Sequence, residues 1–172
     1  MVLGISLSAF TLLHVVISLA GIASGFVVVY GLFNSKRLPG WTAIFLSTTV
    51  LTSLTGYLFS AEKILPSHIV GAISFVVLLI ALFALYAKHL AGRWRWIYIV
   101  TGMTALYLNC FVAVVQAFAK IPSLKALAPK QTEPPFAIAQ FLVLAVFIAI
   151  GIRAVKKFHI SPIIATRAAR AS

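Results

Sequence analysis

The sequence is poor in charged residues, above all in acidic ones, and in cysteine. Only 9% of its 172 residues are charged and only two, Glu62 and Glu133, are acidic, whereas a soluble domain carries about 25% charged residues. So few charged side chains could not cover a soluble surface. Cys110 is the sole cysteine, which excludes an intrachain disulfide, and its apolar surroundings predict a buried, unreactive thiol.

Long apolar runs dominate the chain instead. Hydrophobic residues make up 62% of it, and its mean hydropathy is +1.11. Continuous apolar runs of about 20 residues are typical of membrane-spanning helices, whereas the strands of a membrane barrel alternate over about 10 residues. We therefore predict an all-α integral membrane protein, a compact bundle of five transmembrane helices within residues 1–152, followed by a basic tail, 153–172. The predicted spans are residues 10–33, 41–59, 67–87, 94–118 and 135–152.

The positive charges give the predicted bundle a direction. Lys and Arg number 14 and the net charge is +12, but without a soluble basic domain this charge does not predict nucleic-acid binding. Most of them, including every arginine, fall on the side of the first connection, the third connection and the tail: Lys36, Arg37, Lys88, Arg93, Arg95, Arg153, Lys156, Lys157, Arg167 and Arg170. Positive residues accumulate on the cytoplasmic side. This predicts an N-out/C-in orientation, with the basic cytoplasmic tail against anionic lipid headgroups.

Polar side chains within the spans gather toward the predicted outer side. In the first span, His14, Ser18, Gly21 and Gly25 recur at helical spacing and share one face, and the two glycines would let another helix approach closely. The other spans contribute Thr55, His68, Gln116 and Gln140 near the outer level and Asn109 somewhat deeper. Because such groups are costly in hydrocarbon, this polar outer-leaflet layer is the candidate site.

Two interpretations of the layer stay open. The side chains could be hydrogen-bonding contacts between helices, worth about 0.6 kcal/mol each. They could instead bind a ligand, with His14 and His68 as ligands of a metal ion or of haem b and with Glu62 and Glu133 completing a metal site. The candidate cofactor-binding residues, for a haem or for a quinone, are His14, His68, Asn109, Gln116 and Gln140.

Sequence motifs for catalysis and ion transport are missing. There is no P-loop, no Ser-His-Asp arrangement and no zinc-protease helix, and no carboxylate lies inside a predicted span, which argues against an ion-coupled transporter. We therefore predict a non-enzymatic accessory or structural subunit of a larger membrane complex or homo-oligomer. The alternatives are a redox or ligand-binding membrane protein that uses His14 and His68, and a small-solute transporter.

Several stretches carry a resemblance to known sequences. LPSHIVG at 65–71, HLAGRWRWIY at 89–98, ALYLNCF at 105–111 and the stretch 115–136 resemble a family of small multi-span inner-membrane proteins of proteobacteria. The resemblance covers most of the chain after the first span. It implies a multi-pass protein of the bacterial inner membrane, and it implies no activity.

Overall fold

Helices account for nearly all of the chain that the structure describes. The computed structural model describes residues 4–59 and 66–159, and no β-strand occurs in these two ranges. The helices, in chain order, are α1 (Leu7–Phe33), α2 (Pro39–Tyr57), α3 (Pro66–Leu82), α4 (Trp94–Lys120), α5 (Pro122–Leu127) and α6 (Pro134–Lys157). A π-helical turn, Phe83–Ala87, continues α3. The predicted all-α class is thus confirmed for the described residues.

Four of these helices are long and apolar enough to cross a membrane: α1, the continuous helix His68–Ala87, α4 and α6. The shorter α2 is not among them, because its many Ser and Thr residues lower its hydropathy. Its 19 residues nevertheless extend over about 28 Å, close to the thickness of the hydrocarbon core, about 30 Å. Four of the five predicted spans therefore meet both criteria, and α2 meets the criterion of length.

The last helix is longer than the sequence predicted. The prediction ended this helix at residue 152 and began the basic tail at Arg153, but α6 has 24 residues and continues through Lys157. Basic residues in a last helical turn interact favourably with the negative end of the helix dipole, and the Arg153 guanidinium lies 5.1 Å from the centroid of the Phe33 ring. The rest of the predicted tail, residues 160–172, lies outside the described residues.

The helices pack in the order α6, α1, α2, α3 and α4, and α4 closes the ring against α6. α4 also contacts α1 across the ring. These two helices therefore contain the largest numbers of buried residues. The apolar core lies in the half of the bundle where α1 ends and α4 begins, and its fully buried side chains include Leu78, Ile99 and Leu106.

Glycines on α1 set how closely its neighbours approach. A Cβ on Gly25 would lie 2.5 Å from a methyl of Leu106 on α4 and 3.1 Å from the Phe45 ring on α2. A Cβ on Gly21 would lie 3.1 Å from the hydroxyl oxygen of Thr48. The small-residue face predicted on α1 is therefore the face that contacts α2 and α4.

Five of the hydroxyl groups of α2 are bonded within their own helix. Thr49, Ser53 and Thr55 each donate to the backbone oxygen four residues earlier, at 2.7, 3.0 and 2.7 Å. Ser47 and Thr48 do the same at 2.7 and 2.6 Å. Because these donors are satisfied, a hydroxyl-rich helix can pack between apolar ones without burying unpaired groups.

One end of the bundle, called the cationic end here, gathers the C-termini of α1 and α6 and the N-terminus of α4. Its described basic residues are Lys36, Arg37, Lys88, Arg93, Arg95, Arg153, Lys156 and Lys157. Ser35 Oγ donates to the Lys157 backbone oxygen at 2.7 Å and accepts from the His159 N–H at 3.1 Å. Arg95 Nη1 donates to the Phe158 backbone oxygen at 2.5 Å. These bonds fasten the end of α6 to the two other helices.

Candidate functional site

His14 joins α1 to α2 near the end of the bundle opposite to the cationic end. Its Nδ1 lies 2.7 Å from Thr55 Oγ1, and its ring packs edge-on against Phe59, with centroids 5.3 Å apart. One turn along α1, Ser18 Oγ donates to the His14 backbone oxygen at 2.7 Å and lies 3.3 Å from Thr52 Oγ1. The polar face predicted on α1 thus meets the hydroxyl face of α2, at the level that the sequence predicted.

Thr55 selects the tautomer of the His14 ring. A hydroxyl has one proton, and Thr55 Oγ1 lies 2.7 Å from the Leu51 backbone oxygen, which can only accept. The Thr55 proton therefore points to Leu51, and Thr55 accepts the Nδ1–H of His14. In the neutral imidazole, Nε2 then keeps its lone pair. Within the described residues the ring makes no hydrogen bond other than the one from Nδ1.

His68 packs at a different helix interface. Its ring stacks on Tyr57, with centroids 5.4 Å apart and an interplanar angle of 12°, and the Tyr57 hydroxyl donates to the His68 backbone oxygen at 2.6 Å. Gly71 on α3 makes room for Tyr57, because a Cβ there would lie 3.1 Å from its ring. His14 therefore belongs to the contact of α1 with α2, and His68 to the contact of α2 with α3.

The three predicted amide side chains lie in three different environments. Asn109, half-buried on α4, donates from Nδ2 to Thr49 Oγ1 at 3.1 Å. Gln140 on α6 is 9% exposed and donates from Nε2 to the Phe111 backbone oxygen at 3.2 Å. Its Oε1 is buried and has no hydrogen-bond partner among the described residues. Gln116 is exposed at the surface of α4. Two of the three amides thus connect helices, and the third does not.

Glu133 stabilises the loop before α6. Its Oε1 accepts from the Lys130 N–H at 3.2 Å and its Oε2 from the Thr132 N–H at 3.0 Å. Desolvation raises the pKa of Glu133, but the backbone N–H groups of Glu133, Lys130 and Thr132 and the charge of Lys130 outweigh it, so the pKa lies below its ordinary value. Both carboxylate oxygens are thus engaged in local structure. Glu62, the other predicted carboxylate ligand, lies outside the described residues.

Neither of two cavities in the bundle coincides with the predicted ligands. Within residues 4–59 and 66–159, no group of three or more His, Cys, Asp or Glu side chains could hold a metal ion. A cavity among α1, α2 and α4 has about 10 Å³ and apolar walls, about the space of one water molecule. A larger groove of about 410 Å³ lies between α4 and α6, and neither predicted histidine nor any predicted amide lines it.

Sequence reasoning missed several partners of the predicted residues. Asn109 donates to Thr49, a residue of α2 that the sequence analysis did not single out. Tyr57 was not predicted either, although it follows Thr55 at the end of α2 and faces the glycine of α3 that accommodates its ring. An aromatic residue at a helix end, with a small residue across the connection, is the signal that would have identified it.

The arrangement as a whole favours helix association over catalysis. The pair of Thr55 and His14 has the composition of a nucleophile with its base, but the Thr55 proton points to Leu51, so the imidazole is not placed to remove it. Three of the predicted polar side chains, His14, Asn109 and Gln140, connect one helix to another. Comparison with protein-family models, with curated proteins and with solved structures gives no match to this chain. Its function must therefore be inferred from the chain itself.

Proposed function

We propose that this chain is a non-enzymatic accessory or structural subunit of the bacterial inner membrane, with five spans and an N-out/C-in orientation. The observation that carries the proposal is that polar side chains within the helices bond to neighbouring helices. His14 with Thr55 joins α1 to α2, and Asn109 with Thr49 joins α4 to α2. Groups used in this way stabilise a bundle. The bacterial inner membrane itself is inferred from the family resemblance.

The packing of α2 supports a fifth span. α2 contacts both α1 and α3, which are among the helices long and apolar enough to cross a membrane. The connection from α1 to α2 is only five residues long, residues 34–38, so α2 must run antiparallel to α1. Its satisfied hydroxyls remove the main cost of placing it in hydrocarbon.

The charge distribution supports the orientation. Every arginine among the described residues lies at the cationic end. The described basic residues at the opposite end are three lysines, Lys120, Lys125 and Lys130. An excess of positive charge at one end is typical of the cytoplasmic side.

Cysteine labelling tests both the fifth span and the orientation. Cys110 is replaced by Ala, and single cysteines are introduced at Lys36, Leu58, Lys88 or Lys125, which flank α2 and mark the two ends of the bundle. A maleimide that cannot cross the membrane should label residues 58 and 125 in intact cells, and residues 36 and 88 only after permeabilisation. Labelling of residues 36 and 58 from the same side would show that α2 does not span.

Extraction in lipid nanodiscs tests the subunit role. The monomer has a mass of 18.5 kDa, and an accessory subunit should be recovered in a discrete assembly of higher mass with fixed stoichiometry. A lone monomer at every protein and polymer concentration would contradict the proposal.

One observation favours a second candidate, a redox or ligand-binding protein. The Nδ1–H of His14 is held by Thr55, and an oxygen acceptor on one imidazole nitrogen is typical of histidines that bind a metal through the other. An absorption spectrum and metal analysis of the purified protein test this candidate. A haem or metal signal that His14→Ala removes and His68→Ala preserves would support it, and wild-type protein without either signal would eliminate its haem and metal forms.

A further inference from the structure

A groove of about 410 Å³ runs between α4 and α6 on the outside of the bundle. Apolar side chains form most of its walls, with Val100 and Tyr107 on α4 and Ile148 on α6. Val100 and Ile148 are 45% and 54% exposed, so the groove is open along its side. In a bilayer this opening faces lipid.

The length of the groove matches one leaflet. Its walls on α6 extend from Leu144 to Lys156, which is about 18 Å along a helix axis. Half of the hydrocarbon core is about 15 Å deep. The groove therefore covers the depth of the leaflet at the cationic end and ends where headgroups begin.

We propose that this groove binds an acyl chain of an anionic phospholipid, with the lipid phosphate against Lys156. Lys156 is the charged residue of the groove and lies at its end. Lys157, its neighbour on the last turn of α6, does not line the groove. A basic residue near the membrane surface is worth about 1 kcal/mol toward anionic lipid, so the phosphate and the cation complement each other.

Gly151 opens the groove to a ligand. It lines the groove, and a Cβ built on it would meet nothing within 4 Å. No close helix contact therefore requires a glycine at this position. A larger side chain would project into the space that the acyl chain occupies.

Charge also favours a lipid over a second copy of the chain. A second copy carries a net charge of +12, and its own cationic end, if aligned in the same bilayer, would face Lys156. A phospholipid brings the opposite charge. The proposal goes beyond the subunit role and rests only on the placement of the bundle in a bilayer.

Lipid titration followed by native mass spectrometry tests the headgroup. The full-length chain in detergent is titrated with phosphatidylglycerol and with phosphatidylcholine of identical acyl chains. The wild type should bind phosphatidylglycerol about fivefold more tightly, and Lys156→Gln should remove this preference. Lys157→Gln makes the same change in charge at a residue outside the groove and should leave the preference intact.

Filling the groove tests the acyl chain. Gly151→Leu should lower the affinity for both lipids at least about tenfold, while Ala149→Leu, an equivalent enlargement on the exposed face of α6, should not. Helical circular dichroism and the melting temperature of Gly151→Leu should match or exceed those of the wild type, because glycine is a poor helix former, and those of Ala149→Leu should match the wild type, because alanine and leucine are both good helix formers.

Three results would overturn the lipid proposal. Equal affinity of the wild type for both lipids would exclude the phosphate contact, and full lipid binding by Gly151→Leu would exclude the groove. Loss of a dimer in Gly151→Leu, with lipid binding intact, would identify a second copy as the occupant. None of these results depends on cysteine labelling or on recovery of a larger assembly. Failure of the lipid proposal is therefore distinguishable from failure of the proposed subunit role.

Discussion

Gly25 is the glycine of α1 with the least space for a side chain. A methyl group of Leu106 lies 2.5 Å from the position of a Cβ on Gly25. Leu106 is only 1% exposed, so its side chain has little room to move. The contact of α1 with α4 therefore depends on a missing side chain.

We expect Gly25→Ala to lower the free energy of unfolding by about 1–2 kcal/mol, as for other overpacked cores. Gly102→Ala is the control, because a Cβ there meets nothing within 4 Å, and it should be neutral or stabilising. Reversible unfolding in mixed detergent, followed by circular dichroism, measures both. Equal effects of the two substitutions would contradict the close approach of α1 and α4 at Gly25.

Asn109 and Thr49 provide a test of how the polar layer works. Their bond joins α4 to α2 at 3.1 Å. We expect a double-mutant cycle with Asn109→Leu and Thr49→Val to give a coupling energy of about 0.6 kcal/mol in unfolding. No coupling would show that the two side chains do not support each other, and would leave Asn109 available for a ligand.

At the scale of one element, the start of α6 depends on Glu133. Its carboxylate accepts two backbone N–H groups in the loop, and its folded-state pKa lies below the ordinary value of 4.5. A depressed pKa contributes stability that is present above the unfolded pKa and is lost as the pH falls through the folded pKa. The loop before α6 should therefore loosen in acid.

We expect amide protection at Lys130 and Thr132 to be high at neutral pH and to fall as the pH drops below 4.5. Glu133→Gln should lower this protection at neutral pH and make it independent of pH over the same range. Hydrogen exchange measured by NMR in detergent gives both results. Acid-sensitive protection that persists in Glu133→Gln would assign the effect to another group.

The positions of the helices along the chain could be predicted from the sequence much better than the contacts between helices. Apolar run length located α1 and α4 to within a few residues, because hydrocarbon thickness fixes the length of a span. The helical period gave the face of Gly21 and Gly25, and the rise per residue gave the common level of His14 and Thr55.

Contacts between helices could not be predicted from run length and periodicity. Periodicity states which residues share a face, but it does not state which helix that face meets. Gln116 was therefore expected in the candidate site but is exposed, and the groove beside Gly151 was not foreseen. The predicted span ends at residue 152, whereas the helix continues through Lys157, because a basic residue near a helix end looks in sequence like the start of a tail.

At the scale of the whole molecule, Ser35 connects the turn between α1 and α2 to the residues at the end of α6. Its backbone is left-handed, with φ of 52°, and its hydroxyl bonds both Lys157 and His159. The turn between α1 and α2 thereby holds the end of α6.

We expect Ser35→Gly, which keeps the left-handed backbone but removes the hydroxyl, to increase amide exchange at His159 about fivefold, the equivalent of about 1 kcal/mol for one hydrogen bond. Lys36→Gln is the control and should not change it. Hydrogen exchange with mass spectrometry of the peptide that contains the end of α6 measures the effect. Unchanged exchange at His159 in Ser35→Gly would show that the Ser35 hydroxyl does not hold the end of α6.

The hydroxyl-rich composition of α2 bears on how the protein is made. A helix of modest hydropathy partitions weakly from the translocon into lipid by itself, while α1, which precedes it by only five residues, is strongly apolar. Because His14 and Ser18 offer α2 its polar contacts on α1, the two helices should leave the translocon together as a hairpin. The polar contacts of α1 would then stabilise α2 while it inserts into the bilayer.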